Sequence, residues 1–203
     1  MRSVHSLVVA ASVIGLALVA ARPGQAQQSA PPQELYVYGT GGGLSPLTSL
    51  DGNSADKFKT GFTVGGGVGW RLLPILDLRG DFNYGEATVK NESAVLAGEK
   101  YRKLYYGAEF VLRYPTRSGF APFIGVGAGG VTIDPSNSAT ATLTSFTKFA
   151  GRSSIGLEYA IPKSKLSLLT QATGWLYKVN QSGLDKTQLD LQYNVGVSYR
   201  FPF

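Results

Sequence analysis

From residue 188 to residue 201 the chain alternates without a break. The odd positions are Leu189, Leu191, Tyr193, Val195, Val197, Tyr199 and Phe201; the even ones are Gln188, Asp190, Gln192, Asn194, Gly196, Ser198 and Arg200. Successive side chains of a β-strand point to opposite faces, so this period of two describes a strand with one apolar and one polar face. A helix would scatter the same residues around its axis.

The same reading holds upstream. Over 58–70, Phe58, Phe62, Val64, Val68 and Trp70 oppose Lys59, Thr63 and glycines. Over 75–85, Leu76, Leu78, Phe82 and Tyr84 oppose Asp77, Arg79, Asp81 and Asn83. Over 101–114, Leu104, Tyr106, Ala108, Phe110, Leu112 and Tyr114 oppose Lys103, Glu109 and Arg113. Over 146–160, Phe149, Ile155, Leu157 and Tyr159 oppose Lys148, Arg152, Ser154 and Glu158. Weaker strand patterns at 34–44, 120–133 and 166–179 bring the expected number to eight. Short Pro-containing connections at 71–74, 115–118 and 161–164 alternate with longer ones at 45–57, 88–100, 134–145 and 180–186. Unequal connections at the two ends describe an up-and-down barrel with short turns on one side and loops on the other. The strands exceed the roughly 9–11 residues that a tilted membrane strand needs.

Residues 7–21 are uncharged, follow Arg2 and His5, and precede Gly24-Gln25-Ala26. Fifteen apolar residues are short for a spanning helix, which needs about 20, and small residues at the −3 and −1 positions mark a cleavage site after Ala26. The segment 1–26 reads as a secretory signal peptide and 27–33 as a short polar linker, leaving 34–203 for the barrel. Cleavage removes Arg2, Arg22 and His5 and lowers the net charge from +6 to +4. No basic run remains, which argues against nucleic acid as a partner.

Two closed barrels fit eight such strands. A soluble lipocalin-like barrel turns its apolar face inward around a ligand, whereas a membrane barrel inverts this. With only 16% charged residues, the polar faces, rich in Gly, Ser, Thr and Asn, are too sparsely charged for a soluble exterior. Aromatics gather at the expected strand ends, where interfacial girdles sit: Phe58, Trp70, Tyr84, Tyr101, Tyr114, Phe120, Tyr159, Trp175, Tyr177 and Phe201. The mean hydropathy close to zero thus averages a lipid face with a polar lumen.

Phe203, Phe201, Tyr199, Val197 and Val195 place a terminal aromatic behind apolar residues at every second position. This ending is similar to the C-terminal assembly signal of bacterial outer-membrane barrels. Together with the signal peptide and eight strands, residues 34–203 resemble the small OmpA-like or porin-like outer-membrane barrel family. The resemblance implies an outer-membrane location, contact with lipid and lipopolysaccharide, and recognition by the barrel-assembly machinery.

The expected interior charges are Asp77, Arg79, Asp81, Lys103, Glu109, Arg113, Lys148, Arg152, Glu158, Asp190 and Arg200. Buried singly they would be costly, so they are expected to pair. A hairpin of the third and fourth strands closing near Ala87 and Tyr101 sets Arg79 opposite Glu109 and predicts contact between their charged groups. Gly125 to Gly130 matches a dinucleotide-binding spacing, but a strand follows where that mechanism needs a helix. These glycines and those at 39–43 and 65–69 are expected to narrow a tightly curved wall. After cleavage no His and no Cys remain, which removes the usual general base of membrane-barrel enzymes. No catalytic residue, metal site or cofactor is expected. The expected role is envelope-structural or surface-interacting, with the polar loops 45–57, 88–100 and 134–145 offered to a surface ligand. The alternatives are a narrow passive pore and the soluble lipocalin-like barrel.

Overall fold

The computed structural model describes residues 34–48, 57–58, 60–90, 100–135, 145–181 and 184–202. The signal segment with Ala26, the linker 27–33, most of the three long loops and Phe203 lie outside the described residues. The strands are β1 (Glu34–Pro46), β2 (Lys57–Phe58), β3 (Gly61–Leu73), β4 (Leu76–Lys90), β5 (Lys100–Arg113), β6 (Phe120–Pro135), β7 (Phe146–Ala160), β8 (Leu166–Gln181) and β9 (Leu184–Pro202). β2 is a two-residue piece on the loop end of β4. The segment expected to run unbroken from Phe58 is therefore divided, its long strand starting at Gly61.

The eight long strands pair antiparallel, each with its neighbours in the chain, and β1 closes the circle on β9. Stepping across paired residues from Tyr36 leads through Gly69, Arg79, Glu109, Gly127, Arg152, Trp175 and Asp190 and returns to β1 at Pro46, ten residues higher. With about 4.8 Å between strands and about 3.3 Å per residue, that stagger tilts the strands by about 40°. The backbone cylinder is then about 8 Å in radius, just wide enough for side chains to fill.

The faces sort as a membrane barrel requires. Val126, Phe149, Ile155 and Val195 are each more than 60% exposed on the outside. Asp77, Arg79, Glu109 and Asp190 are each at most 2% exposed within. Among the strand residues whose side chains are described, the outward charges are Glu86, Arg102, Asp134 and Lys178, all near the loop end. At the turn end, the Phe120 ring lies 4.7 Å from Tyr159 and the Tyr199 ring 4.8 Å from Phe201, and Trp70 is on the outer face at the same end. Phe62 and Tyr84, 5.9 Å apart, lie toward the loop end.

Tyr101, Trp175 and Tyr177 do not join these girdles: all three are buried in the lumen. Ten-residue stagger and strand parity, not distance from a strand end, decide which side an aromatic takes. The side chain of Phe58 lies outside the described residues.

The turns are tight. Gly119 has φ +86°, and its amide donates to Thr116 O at 3.2 Å. In the β7–β8 turn, Ser164 N donates to Ile161 O at 3.1 Å around Pro162 and Lys163. Lys163 has φ +61°. Pro followed by positive φ is the type II pattern, whose third position favours glycine; a side chain there costs about 1–2 kcal/mol.

Candidate functional site

The barrel interior holds nearly all the chemistry of the described residues, in three levels. At the turn end, Asp77 accepts from Tyr36 Oη at 3.0 Å and lies 3.4 Å from both Arg113 Nη1 and Arg71 Nε. Arg71 also pairs with Glu34. Arg113 Nη2 reaches Glu158 at 2.7 Å.

At mid-height Arg152 joins two carboxylates, pairing with Asp81 and reaching Glu109 at 3.2 Å. Ser154 Oγ donates to Glu109 at 2.8 Å and Tyr38 Oη to Asp81 at 3.3 Å. Glu109 reaches these partners across β6, where Gly125 and Gly127 present no side chain. A Cβ on Gly125 would lie 2.6 Å from Glu109 Oε2. The glycine run with dinucleotide-like spacing is thus a lane through which one carboxylate crosses to β7.

Arg79 does not contact Glu109 as expected. The two are paired in register, but Arg79 Nε donates to Tyr36 Oη at 2.7 Å and its guanidinium lies 4.4 Å from the centre of the Phe123 ring. Glu109 is instead taken by Arg152 and Ser154.

Higher still, Asp190 Oδ2 accepts from Lys103 Nζ at 2.8 Å, Tyr105 Oη at 2.8 Å and Tyr177 Oη at 2.9 Å. Trp175 packs 5.5 Å from Tyr105 and 5.1 Å from the Arg152 guanidinium. Above this knot, toward the loops, Leu44, Ala87, Tyr101, Val131, Ile133 and Val179 belong to a cluster of buried apolar side chains, with Gln188 buried at the same end and accepting from Thr48 Oγ1 at 2.6 Å.

Each interior carboxylate among the described residues has a cationic partner within 4 Å. Removing one member of such a buried pair costs about 3–5 kcal/mol, because the other stays desolvated. Lys148 and Arg200 sit half-buried at opposite mouths of the lumen. Lys148 Nζ lies 5.5 Å from the Phe146 ring. Val195, Val197, Tyr199 and Phe201 all face outward.

The tyrosine hydroxyls were not among the expected site residues. A signal existed: Tyr105 shares the odd parity of Lys103 and Glu109, and Tyr36 and Tyr38 alternate with outward Leu35 and Val37. The apolar layer left no such signal, because Val131 and Val179 look alike on either face.

A closed antiparallel barrel with an apolar outer belt, aromatic girdles and an ion-paired interior is a transmembrane barrel of the bacterial outer membrane. The soluble lipocalin-like alternative is excluded, since it would turn these apolar faces inward. Residues 14–201 match the model of the outer membrane protein beta-barrel domain, and the chain belongs to that family. A search of curated protein sequences finds no match.

Among solved structures, Neisserial surface protein A is similar with a TM-score of 0.59 at 13% identity, over 86% of this chain and 100% of that one. The outer membrane protein OprG of Pseudomonas aeruginosa gives 0.56 at 15% identity, over 87% and 99%. The N-terminal barrel domain of Pseudomonas aeruginosa OprF gives 0.51 at 16%, over 83% and 97%. At these identities the likeness is one of fold.

Proposed function

We propose that the protein is a filled barrel with an envelope-structural or surface-interacting role, and not an enzyme. The observation that carries this reading is the filling of the lumen by buried side chains: ion-paired levels below, and a cluster with Leu44, Ala87, Tyr101, Val131, Ile133 and Val179 above. Apolar side chains at this level narrow the way for an ion, which would have to shed much of its water against them. The loops 45–57, 88–100 and 134–145 are then the surface offered to a ligand, with lipopolysaccharide around the loop-end rim. Val195, Val197, Tyr199, Phe201 and Phe203 serve the assembly machinery after cleavage behind Ala26.

One observation favours the narrow pore as a second reading. Gln171 Oε1, Thr173 Oγ1, Gln192 Nε2 and both amide atoms of Asn194 face the lumen from β8 and β9 without a protein partner, which would suit a passing polar solute. Conductance of the purified barrel in a planar bilayer separates the two. A filled barrel gives no unitary steps, and reproducible steps at neutral pH would establish the pore.

A further inference from the structure

The net charge of +4 on residues 27–203 is not spread over the molecule. The loop-end residues 49–59, 90–100 and 182–186 carry five acidic and five basic side chains. Outward Glu86 and Asp134 balance Arg102 and Lys178. The lumen, with its rims, holds seven cations and six carboxylates. The remaining excess is Arg117, Lys163 and Lys165, all exposed and all on the turns β5–β6 and β7–β8. Arg200 stands beside them, its amide donating to Lys165 O at 3.0 Å. Among the described residues, the acids at this end are Glu34, Asp77 and Glu158, each held by an arginine.

A second feature is independent of this count. Lys163 keeps a left-handed backbone, φ +61°, at the turn position that glycine fills most easily. In the β5–β6 turn the left-handed position is a glycine, Gly119. A cation therefore stands where backbone preference opposes any side chain.

We infer that this basic arc binds the phosphates of anionic phospholipid headgroups in the turn-side leaflet of the outer membrane. The turns are too short to carry the charges away from the bilayer. Arg117 lies three residues from Tyr114 and from Phe120, which is packed on Tyr159, so the cations follow directly on the aromatic girdle, at headgroup depth. Juxtamembrane Lys and Arg are drawn to such surfaces, and the attraction fades within a Debye length. Long lysine stems can run along the apolar belt with their ammonium groups among the phosphates.

The test uses the purified barrel in phosphatidylcholine vesicles with spin-labelled phosphatidylglycerol or spin-labelled phosphatidylcholine, read by electron spin resonance. The relative association constant at the barrel boundary should favour phosphatidylglycerol by about twofold or more. It should fall toward unity in Arg117→Gln/Lys163→Gly/Lys165→Gln, and in about 0.5 M salt. The loop-end variant Arg102→Gln/Lys178→Gln should keep the selectivity. Heat-modifiable gel mobility confirms that each variant is folded. Lys163→Gly alone should unfold at a higher temperature and yet select less. Selectivity near unity in the parent, unchanged selectivity in the triple variant, or loss only in the loop-end variant would overturn the inference. So would binding to purified peptidoglycan sacculi that the triple variant loses while lipid selectivity is absent.

Discussion

Arg79 and Glu109 stand directly opposite each other on β4 and β5, yet each is bonded elsewhere. Arg79 turns to Tyr36 and lies against Phe123, while Glu109 crosses the Gly125–Gly127 lane to Arg152 and Ser154. Register alone therefore does not set the ion pairs. A double-mutant cycle on Glu109→Gln and Arg152→Met, read by urea unfolding in bilayers, should return a coupling of about 1–3 kcal/mol. The cycle on Glu109→Gln and Arg79→Met should return a smaller value. Equal couplings would restore the direct pair.

Asp190 is the acceptor on which Lys103, Tyr105 and Tyr177 converge. Asp190→Ala removes the carboxylate that the buried Lys103 ammonium reaches at 2.8 Å and should cost about 3–5 kcal/mol. Adding Lys103→Met removes the desolvated charge and should recover much of the loss. The midpoint of urea unfolding checks both, and a double variant no better than the single one would mean that the ammonium finds another partner.

The two tryptophans should behave oppositely. Trp175 is fully buried in the lumen, while Trp70 is 44% exposed on the outer face. Trp175→Ala should cost about 3–5 kcal/mol, and Trp70→Ala less. In vesicles of brominated phosphatidylcholine, the fluorescence left in Trp175→Phe should be strongly quenched, because Trp70 meets the lipid. That left in Trp70→Phe should be quenched little. The reverse pattern would place Trp175 in the girdle.

Why β8 was the hard strand to read follows from these residues. β9 alternates perfectly because its inward side carries no apolar side chain from Gln188 to Arg200. β8 carries Gln171 and Thr173 inward at mid-height but Trp175, Tyr177 and Val179 inward above them. Its outer side meanwhile includes Thr170, Gly174 and Lys178. An apolar layer inside the lumen erases the contrast on which the period-two pattern depends. Strand number, direction and outward face were legible because lipid imposes one rule on every strand. Partner choice inside was not, because side chains as long as Arg152 and Glu109 reach across a strand, and the sequence pattern carries no record of which glycine lets them through.

The same distinction between the two faces makes glycine substitutions unequal. At Gly69, on the lumen side of β3, an added Cβ would overlap the Tyr36 ring that lies across it. Moving that ring also breaks the Tyr36 bonds to Asp77 and Arg79. At Gly41, on β1, the nearest atom to an added Cβ is Thr63 O at 3.8 Å, an ordinary contact. Gly69→Ala should therefore cost about 1–3 kcal/mol by overpacking. Gly41→Ala should be neutral or gain up to about 1 kcal/mol, because it narrows the unfolded ensemble without strain in the fold. Unfolding midpoints of the two variants decide the matter. A Gly41→Ala barrel as unstable as Gly69→Ala would mean that curvature of the wall, and not the Tyr36 ring, is what demands glycine.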